Sequence, residues 1–133
     1  MATPFQRKHT LEARVSEAAR MLAKYPDRVP VIVQPDPRTK PPPIDKEKYL
    51  VPRDITLGQF LHCLRVRLKL HEATALFLLV GSELLPMSRL AGDAYESKRD
   101  PDGFLYVTYS TESAFGCFTL SAAVRRVVFA ASA

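Results

Sequence analysis

Cysteine is scarce in this sequence. The 133 residues include two, Cys63 and Cys117, which form neither a Cys-x-x-Cys pair nor a His/Cys cluster at metal-ligand spacing. Two isolated cysteines imply no disulfide framework, so the sequence fits a reducing compartment. We therefore expect no metal site and no cofactor.

Targeting segments and long apolar runs are missing as well. Residues 1–10 are polar and lack the apolar core of a secretory signal. No apolar run has the length that spans a bilayer, and the final Ala-Ala-Ser-Ala is not a prenylation box. If this protein resides on a membrane, we expect a separate reaction to attach it there.

Motifs for catalysis are also absent. The sequence contains no glycine-rich phosphate loop and no paired-carboxylate motif. His62 and Cys63 are neighbours on a predicted helix, where adjacent side chains point about 100° apart and cannot easily form a nucleophile–base pair. We predict that the protein is not an enzyme.

The composition is that of an ordinary globular domain, with 47% apolar and 25% charged residues. The net charge of +5 suits acidic peptides, anionic membranes or nucleic acid, and charge alone does not choose among them. Because no motif combines basic residues with stacking aromatics, we expect no nucleic-acid binding.

The N-terminal segment predicts helices. Residues 4–9 fit a short helix and residues 11–24 a longer one, which Tyr25-Pro26 ends because proline disfavours a helical residue before it. The side chains predicted to face the core are Leu11, Val15, Ala18 and Leu22. Glu17 and Met21, one turn apart, lie off that stripe.

The rest of the pattern predicts a small mixed sheet. Strands are expected at residues 28–34, 48–51, 75–80 and 104–110, and helices at 56–68 and 88–97. Thr56 and Gln59 form a capping box at the start of the better-signalled helix. Pro30 must leave the first strand locally unpaired, while Pro52 and flanking lysines are typical of an edge strand, which can add a peptide strand. The order predicts an α+β fold, the ubiquitin-like β-grasp, with a four-stranded mixed sheet and two extra N-terminal helices.

Residues 117–133 differ in character from the rest of the chain. They contain no glycine, proline or acid, and Arg125-Arg126 lie among Val124, Val127, Val128 and Phe129. The segment can form a membrane-seeking helix, pack on the domain or remain disordered. Because it is short, uncapped and valine-rich, we expect it to be mobile in a precursor, with the Gly116-Cys117 bond open to a protease.

Five ordered blocks resemble a known family. The blocks are YPDRVPVIV (25–33), DKEKYLVPRD (45–54), ITLGQF (55–60), ALFLLV (75–80) and DGFLYVTYSTESAFG (102–116). They resemble the autophagy ubiquitin-like modifiers, which include the GABA-receptor-associated proteins and the microtubule-associated-protein light chains. The resemblance covers residues 4–116 nearly without gaps.

The resemblance implies processing and conjugation. Family members are trimmed by a cysteine protease after a glycine that follows an aromatic residue, and Phe115-Gly116 occupies that position here. Activating and conjugating enzymes would then join Gly116 to phosphatidylethanolamine. Glycine suits this chemistry because it has no Cβ, so its carbonyl can be approached closely.

The resemblance also implies two apolar pockets beside the second strand, which accept an aromatic and an aliphatic residue of an extended peptide. The positions matching the aromatic pocket are Glu17, Met21, Pro30, Lys48, Leu50 and Phe104. Those matching the aliphatic pocket are Tyr49, Val51, Pro52, Ile55, Phe60, Cys63, Leu64 and Arg67. The cations expected to meet acidic residues beside the motif are Arg28, Lys46, Lys48 and Arg67. Phe60, Leu64 and Phe104 also fit core positions.

Some features depart from the family pattern. Met21 replaces a more usual β-branched residue, and Cys63 is small where a larger apolar residue is common. Arg53 adds positive charge beside the docking strand. The tail after Gly116 is longer than in many relatives, which bears on how efficiently it is removed.

These observations predict a conjugatable tag. Residues 1–27 would form a helical subdomain, 28–116 the ubiquitin-like domain and 117–133 a removable extension. The expected partners are the processing protease, the activating and conjugating enzymes, phosphatidylethanolamine and cargo receptors with aromatic-x-x-aliphatic motifs. We expect a monomer in the cytoplasm that moves to the autophagosome membrane when lipidated. The alternative is a peptide- or cytoskeleton-binding adaptor that is never conjugated and keeps its tail.

Overall fold

A computed structural model describes residues 2–71, 73–81 and 83–111. The predicted scissile bond, Gly116-Cys117, and the tail lie outside these residues. The helices are α1 (Pro4–Lys8), α2 (Leu11–Lys24), α3 (Leu57–Leu68) and α4 (Ala91–Lys98). The strands are β1 (Arg28–Pro35), β2 (Lys48–Pro52), β3 (Phe77–Val80), β4 (Glu83–Leu84) and β5 (Leu105–Ser110). In this part of the chain, no helix is both long and apolar enough to cross a membrane.

The strands form one mixed sheet in the order β2-β1-β5-β3-β4. β1 and β5 are parallel, and the other neighbours are antiparallel. The α+β fold is as predicted, but the described residues form a sheet of five strands and not four. The extra strand, β4, has two residues, which is too short to show an alternating pattern. It follows a turn at Gly81, where φ is +57°, a left-handed conformation that glycine adopts without strain.

Both faces of the sheet are covered by helices. β1 has six consecutive buried residues because its alternate side chains enter two different apolar clusters. Val31 and Val33 join the larger cluster with α3 and α4, whereas Ile32 joins the smaller one with α1 and α2. The smaller cluster consists of Phe5, Ala18, Ile32 and Phe104, with Met21 and Tyr106 packed against it.

Helix α3 begins as its sequence predicts. Thr56 is the N-cap, and its side chain accepts a hydrogen bond from the Gln59 N–H while the Gln59 side chain accepts one from the Thr56 N–H. The helix buries Leu57, Phe60 and Leu64 against the sheet. These contacts hold α3 behind β2, which is the predicted docking strand.

The predicted core face of α2 is confirmed for two of its four residues and wrong for the other two. Ala18 is buried and Leu22 is partly buried, but Leu11 and Val15 are 56% and 44% exposed. Two contacts set this orientation. Gly103, at φ +96°, approaches so closely that an added Cβ would lie 2.9 Å from the Ala18 Cβ. In addition, Arg14 points toward the sheet to reach a buried carboxylate. Neither contact can be predicted from the spacing of apolar residues along α2.

That carboxylate belongs to Asp102, which is 1% exposed. It accepts hydrogen bonds from Arg14 Nη1 at 2.7 Å, Tyr106 Oη at 2.5 Å and the Phe104 N–H at 2.9 Å. Burial, together with this bond to Asp102, raises the pKa of Tyr106 well above its usual value. Asp102 therefore links α2 to the turn before β5 and to β5 itself.

Candidate functional site

Strand β2 lies at an edge of the sheet, as its proline and lysines predict. It pairs with β1 on one side, in a register that places Pro30 opposite Leu50 and Ile32 opposite Lys48. No strand of the described part of the chain pairs with its other side, which we call the open edge of the sheet. An open edge can take up an additional strand through main-chain hydrogen bonds.

The register shows which main-chain groups face that edge. In an antiparallel pair, hydrogen-bonded and non-bonded residue pairs alternate. The Val33 N–H donates to the Glu47 carbonyl at 2.7 Å, and the Arg53 N–H to the Asp27 carbonyl at 3.1 Å, in the same register. The pairs of Lys48 and Leu50 are therefore the non-bonded ones, and the N–H and C=O groups of these two residues point to the open edge.

Pro30 fits this alternation. It has no N–H, and it occupies a non-bonded pair with Leu50, where β1 needs no donor toward β2. Pairing of β1 with β5 begins one residue later, at Val31 opposite Leu105. The predicted local gap in pairing therefore lies on the β5 side of Pro30. Pro30 itself is buried.

A cleft of about 530 Å³ lies between α2 and β2. Its lining residues are Glu17, Arg20, Met21, Arg28, Lys46, Lys48, Tyr49 and Leu50. Four of these are cations and one is a carboxylate, and that carboxylate, Glu17, pairs with Lys48 Nζ at 2.5 Å. We call this the α2–β2 cleft. Its charge favours an acidic ligand.

The α2–β2 cleft gathers most of the residues predicted for the aromatic pocket. Met21 lies over the smaller apolar cluster, which includes Phe104. Phe104 is 0% exposed, so it supports the cleft from below and is not on its surface. Arg20 was not predicted, although it lies three residues after Glu17 on the same helical face, a spacing that indicates its position.

The residues predicted for the aliphatic pocket gather where β2 meets α3. Val51, Phe60 and Leu64 are buried in the larger cluster, and Tyr49 and Ile55 pack against it half-buried. The rings of Tyr49 and Phe60 are 5.9 Å apart in an edge-to-face arrangement. Of the remaining residues, Pro52 is half-buried, and Cys63 and Arg67 are exposed. Tyr49 also lines the α2–β2 cleft, so it connects the two groups.

Arg67 is already paired. Its Nη2 lies 3.1 Å from Asp45 Oδ2, and its guanidinium carbon lies 5.7 Å from the centre of the Tyr49 ring. The Tyr49 hydroxyl is buried without a hydrogen-bond partner within the described residues. Burial raises the pKa of Tyr49, although the nearby Arg67 charge opposes that change.

Arg53 does not add its charge to the cleft. Its Nε donates to the Pro26 carbonyl at 3.2 Å, and its guanidinium carbon lies 5.7 Å from the centre of the Tyr95 ring. Tyr95 belongs to α4, so this side chain points away from the α2–β2 cleft. Arg53 directly follows β2, so its charge lies beside the docking strand but does not line the α2–β2 cleft.

Comparisons with known proteins agree with one another. The family model "Autophagy protein Atg8 ubiquitin like" matches residues 13–116. The chain is 48% identical over 117 residues to autophagy-related protein 8a of Arabidopsis thaliana, covering 88% of this chain and 96% of that one. It is 47% identical over 116 residues to autophagy-related protein 8 of Mycosarcoma maydis, covering 87% and 98%.

A solved structure gives the same result for the fold. The crystal structure of Trypanosoma brucei ATG8 superposes with a TM-score of 0.79 at 38% identity, covering 83% of this chain and 95% of that one. The sheet with its flanking helices and the sequence matches along most of the chain therefore lead to one conclusion. This chain belongs to the Atg8 family of ubiquitin-like autophagy proteins.

Proposed function

We propose that this protein is a modifier that is joined through Gly116 to phosphatidylethanolamine on autophagic membranes, where it docks linear peptides of cargo receptors and autophagy machinery. The observation that supports docking most directly is the open edge of β2, which runs beside the cation-rich α2–β2 cleft. The edge offers main-chain hydrogen bonds, and the cleft offers an apolar base with a basic rim.

An extended peptide with an aromatic-x-x-aliphatic motif fits this surface. Its backbone would bond to Lys48 and Leu50, its aromatic residue would enter the α2–β2 cleft, and its aliphatic residue would pack near Tyr49. Burying an aromatic anchor contributes several kcal/mol at roughly 25 cal/mol per Å², before the costs of association are subtracted. Acidic residues beside the motif would meet Arg28, Lys46 and, after exchange of its Asp45 partner, Arg67.

Support for conjugation comes from the chain around Gly116. The family match ends at residue 116, and the preceding residue, Phe115, is aromatic. A cysteine protease would remove residues 117–133, and activating and conjugating enzymes would carry the glycine carboxylate to the lipid. The protein would then be cytoplasmic before conjugation and on the autophagosome membrane afterwards. It carries no catalytic role of its own in this scheme.

The test compares three proteins in cells with intact autophagy: the full chain, the chain truncated after Gly116, and the Gly116→Ala variant. We expect the full chain to lose its tail and gain lipid, the truncated chain to gain lipid without prior cleavage, and Gly116→Ala to gain none. Mass spectrometry and membrane flotation measure both steps. A full chain that keeps residues 117–133 during starvation, or a Gly116→Ala chain that acquires lipid, would instead support the unconjugated adaptor.

A further inference from the structure

The side chain of Arg28 reaches the docking edge. Its Nη1 donates to the main-chain carbonyl of Leu50 at 3.4 Å. That carbonyl belongs to a non-bonded pair of the β1–β2 ladder and points away from β1. The guanidinium therefore covers part of the edge of its own sheet.

The same carbonyl is an acceptor that an added strand needs. A peptide that extends the sheet must donate one of its N–H groups to Leu50, and at this position it competes with the Arg28 guanidinium. The contact is long and exposed, so it is easily displaced. Docking therefore exchanges one donor for another at this atom and releases the arginine.

Among the described residues, Arg28 forms no ion pair that a docked peptide would have to break. Glu17, the one acid among the described residues that line the α2–β2 cleft, is paired with Lys48. A carboxylate supplied by the peptide would pair with the released guanidinium. A neutral peptide would leave the guanidinium to water.

We propose that Arg28 is a removable cap on the docking edge, which disfavours peptides that bring no acidic residue to bind the released guanidinium. This inference rests on the docking function proposed above. Arg28 has two opposite effects on binding. It hinders strand addition by occupying the Leu50 carbonyl, and once released it stabilises a peptide whose aspartate or glutamate pairs with its guanidinium. Selection for acidic motifs then arises from a penalty on neutral peptides as well as from attraction.

Lys46 supplies the matched control. It is an exposed cation that lines the same cleft, and nothing in the described structure ties its side chain to the main chain of β2. Lys46→Met removes attraction only, whereas Arg28→Met removes attraction and the cap together. Arg28 is exposed, so its substitution is compatible with folding, which thermal unfolding of both variants verifies.

The experiment measures Kd by calorimetry for wild type, Arg28→Met and Lys46→Met. The probes are synthetic aromatic-x-x-aliphatic peptides with glutamates beside the motif and their glutamine counterparts. We expect Arg28→Met to bind the neutral peptide about two- to fivefold more tightly than wild type, as suits an exposed contact. It should also lose part of the preference for glutamate. Lys46→Met should weaken the acidic peptide without tightening the neutral one.

The outcomes separate the two proposals. Equal or weaker binding of the neutral peptide by Arg28→Met would overturn the cap while leaving the docking function intact. Tightening of the neutral peptide by Lys46→Met to the same degree would also overturn it, because the effect would then be general. Failure of wild type to bind either peptide would remove the docking function itself, and the cap with it.

Discussion

At the scale of single residues, Asp102 is expected to contribute more to stability than its position in a turn sequence suggests. Its carboxylate accepts hydrogen bonds from Arg14, Tyr106 and the Phe104 N–H in a buried position. Asp102→Ala leaves these donors without an acceptor, and we expect a loss of about 3 kcal/mol in the free energy of unfolding. Urea titration followed by circular dichroism measures it.

The control for this prediction is Asp45→Ala. Asp45 pairs with Arg67, but the two side chains are 70% and 41% exposed. Exposed pairs contribute little to stability, so this variant should unfold close to wild type. Equal losses in the two variants would show that the buried hydrogen bonds of Asp102 stabilise the fold no more than an exposed ion pair does.

Tyr109 gives a pH dependence with a definite sign. Burial, with a smaller effect of Tyr49, raises its pKa to about 12, against roughly 10 in an unfolded chain. Between these two pKa values the folded state keeps the proton that the unfolded state releases. The contribution of Tyr109 to the free energy of unfolding is therefore fully present below pH 10 and is lost as the pH rises toward 12. Tyr109→Phe removes this contribution to the decrease in the free energy of unfolding.

The measurement is the free energy of unfolding at pH 9 and pH 11 for both proteins. Wild type should lose about 1 kcal/mol more over this interval than Tyr109→Phe. The variant also loses the 2.5 Å hydrogen bond from the Tyr109 hydroxyl to the Pro42 carbonyl, which lowers its stability at both pH values. Curves that stay parallel from pH 9 to 11 would contradict the raised pKa.

At the scale of elements, strand β2 is expected to determine peptide affinity. Lys48→Glu reverses a charge of the α2–β2 cleft and breaks the pair with Glu17, and Leu50→Ala shortens a side chain that lines the cleft. We expect each change to weaken an acidic aromatic-x-x-aliphatic peptide about tenfold or more without unfolding the domain. Calorimetry on the folded variants measures the effect.

Lys8→Glu is the matched charge reversal for this test. Lys8 is exposed in the last turn of α1 and does not line the α2–β2 cleft. It should change the affinity much less than Lys48→Glu. Unchanged affinity in both β2 variants would mean that peptides dock elsewhere.

Local signals predicted most of the elements because they act within a few residues. The capping box of Thr56 and Gln59 marks the start of α3, and Pro52 with its neighbouring lysines marks an edge strand. The face of α2 could not be predicted in this way. It depends on Arg14 reaching Asp102 and on the close approach of Gly103, contacts between residues far apart in the chain.

The candidate site divides in the same manner. Lys48 and Leu50 follow from the edge strand alone, but their meeting with Glu17 and Met21 across the α2–β2 cleft depends on the tertiary fold. The resemblance supplied those residues. Phe104, which also fitted a core position in the sequence, lies beneath the surface of the cleft.

At the scale of the whole molecule, the net charge of +5 and the four cations of the α2–β2 cleft predict salt-sensitive binding. Raising the ionic strength from about 0.05 M to 0.5 M shortens the Debye length severalfold. We expect the Kd of an acidic peptide to rise about three- to tenfold over this range, and that of its glutamine counterpart to change less. Calorimetric titrations at several salt concentrations provide the measurement, and an equal response of the two peptides would make the basic rim irrelevant to recognition.

The position of β5 has a consequence for synthesis. Among the described residues this strand is the last in sequence, yet it lies between β1 and β3 and pairs with both. While the ribosome is still making the chain, β1 has β2 beside it and an empty edge on its other side, and β3 lacks its main neighbour. Any product that stops before Leu105 therefore exposes two unpaired edges at the centre of the sheet, which invites aggregation. The edges of β1 and β3 are therefore covered only after β5 has been synthesised.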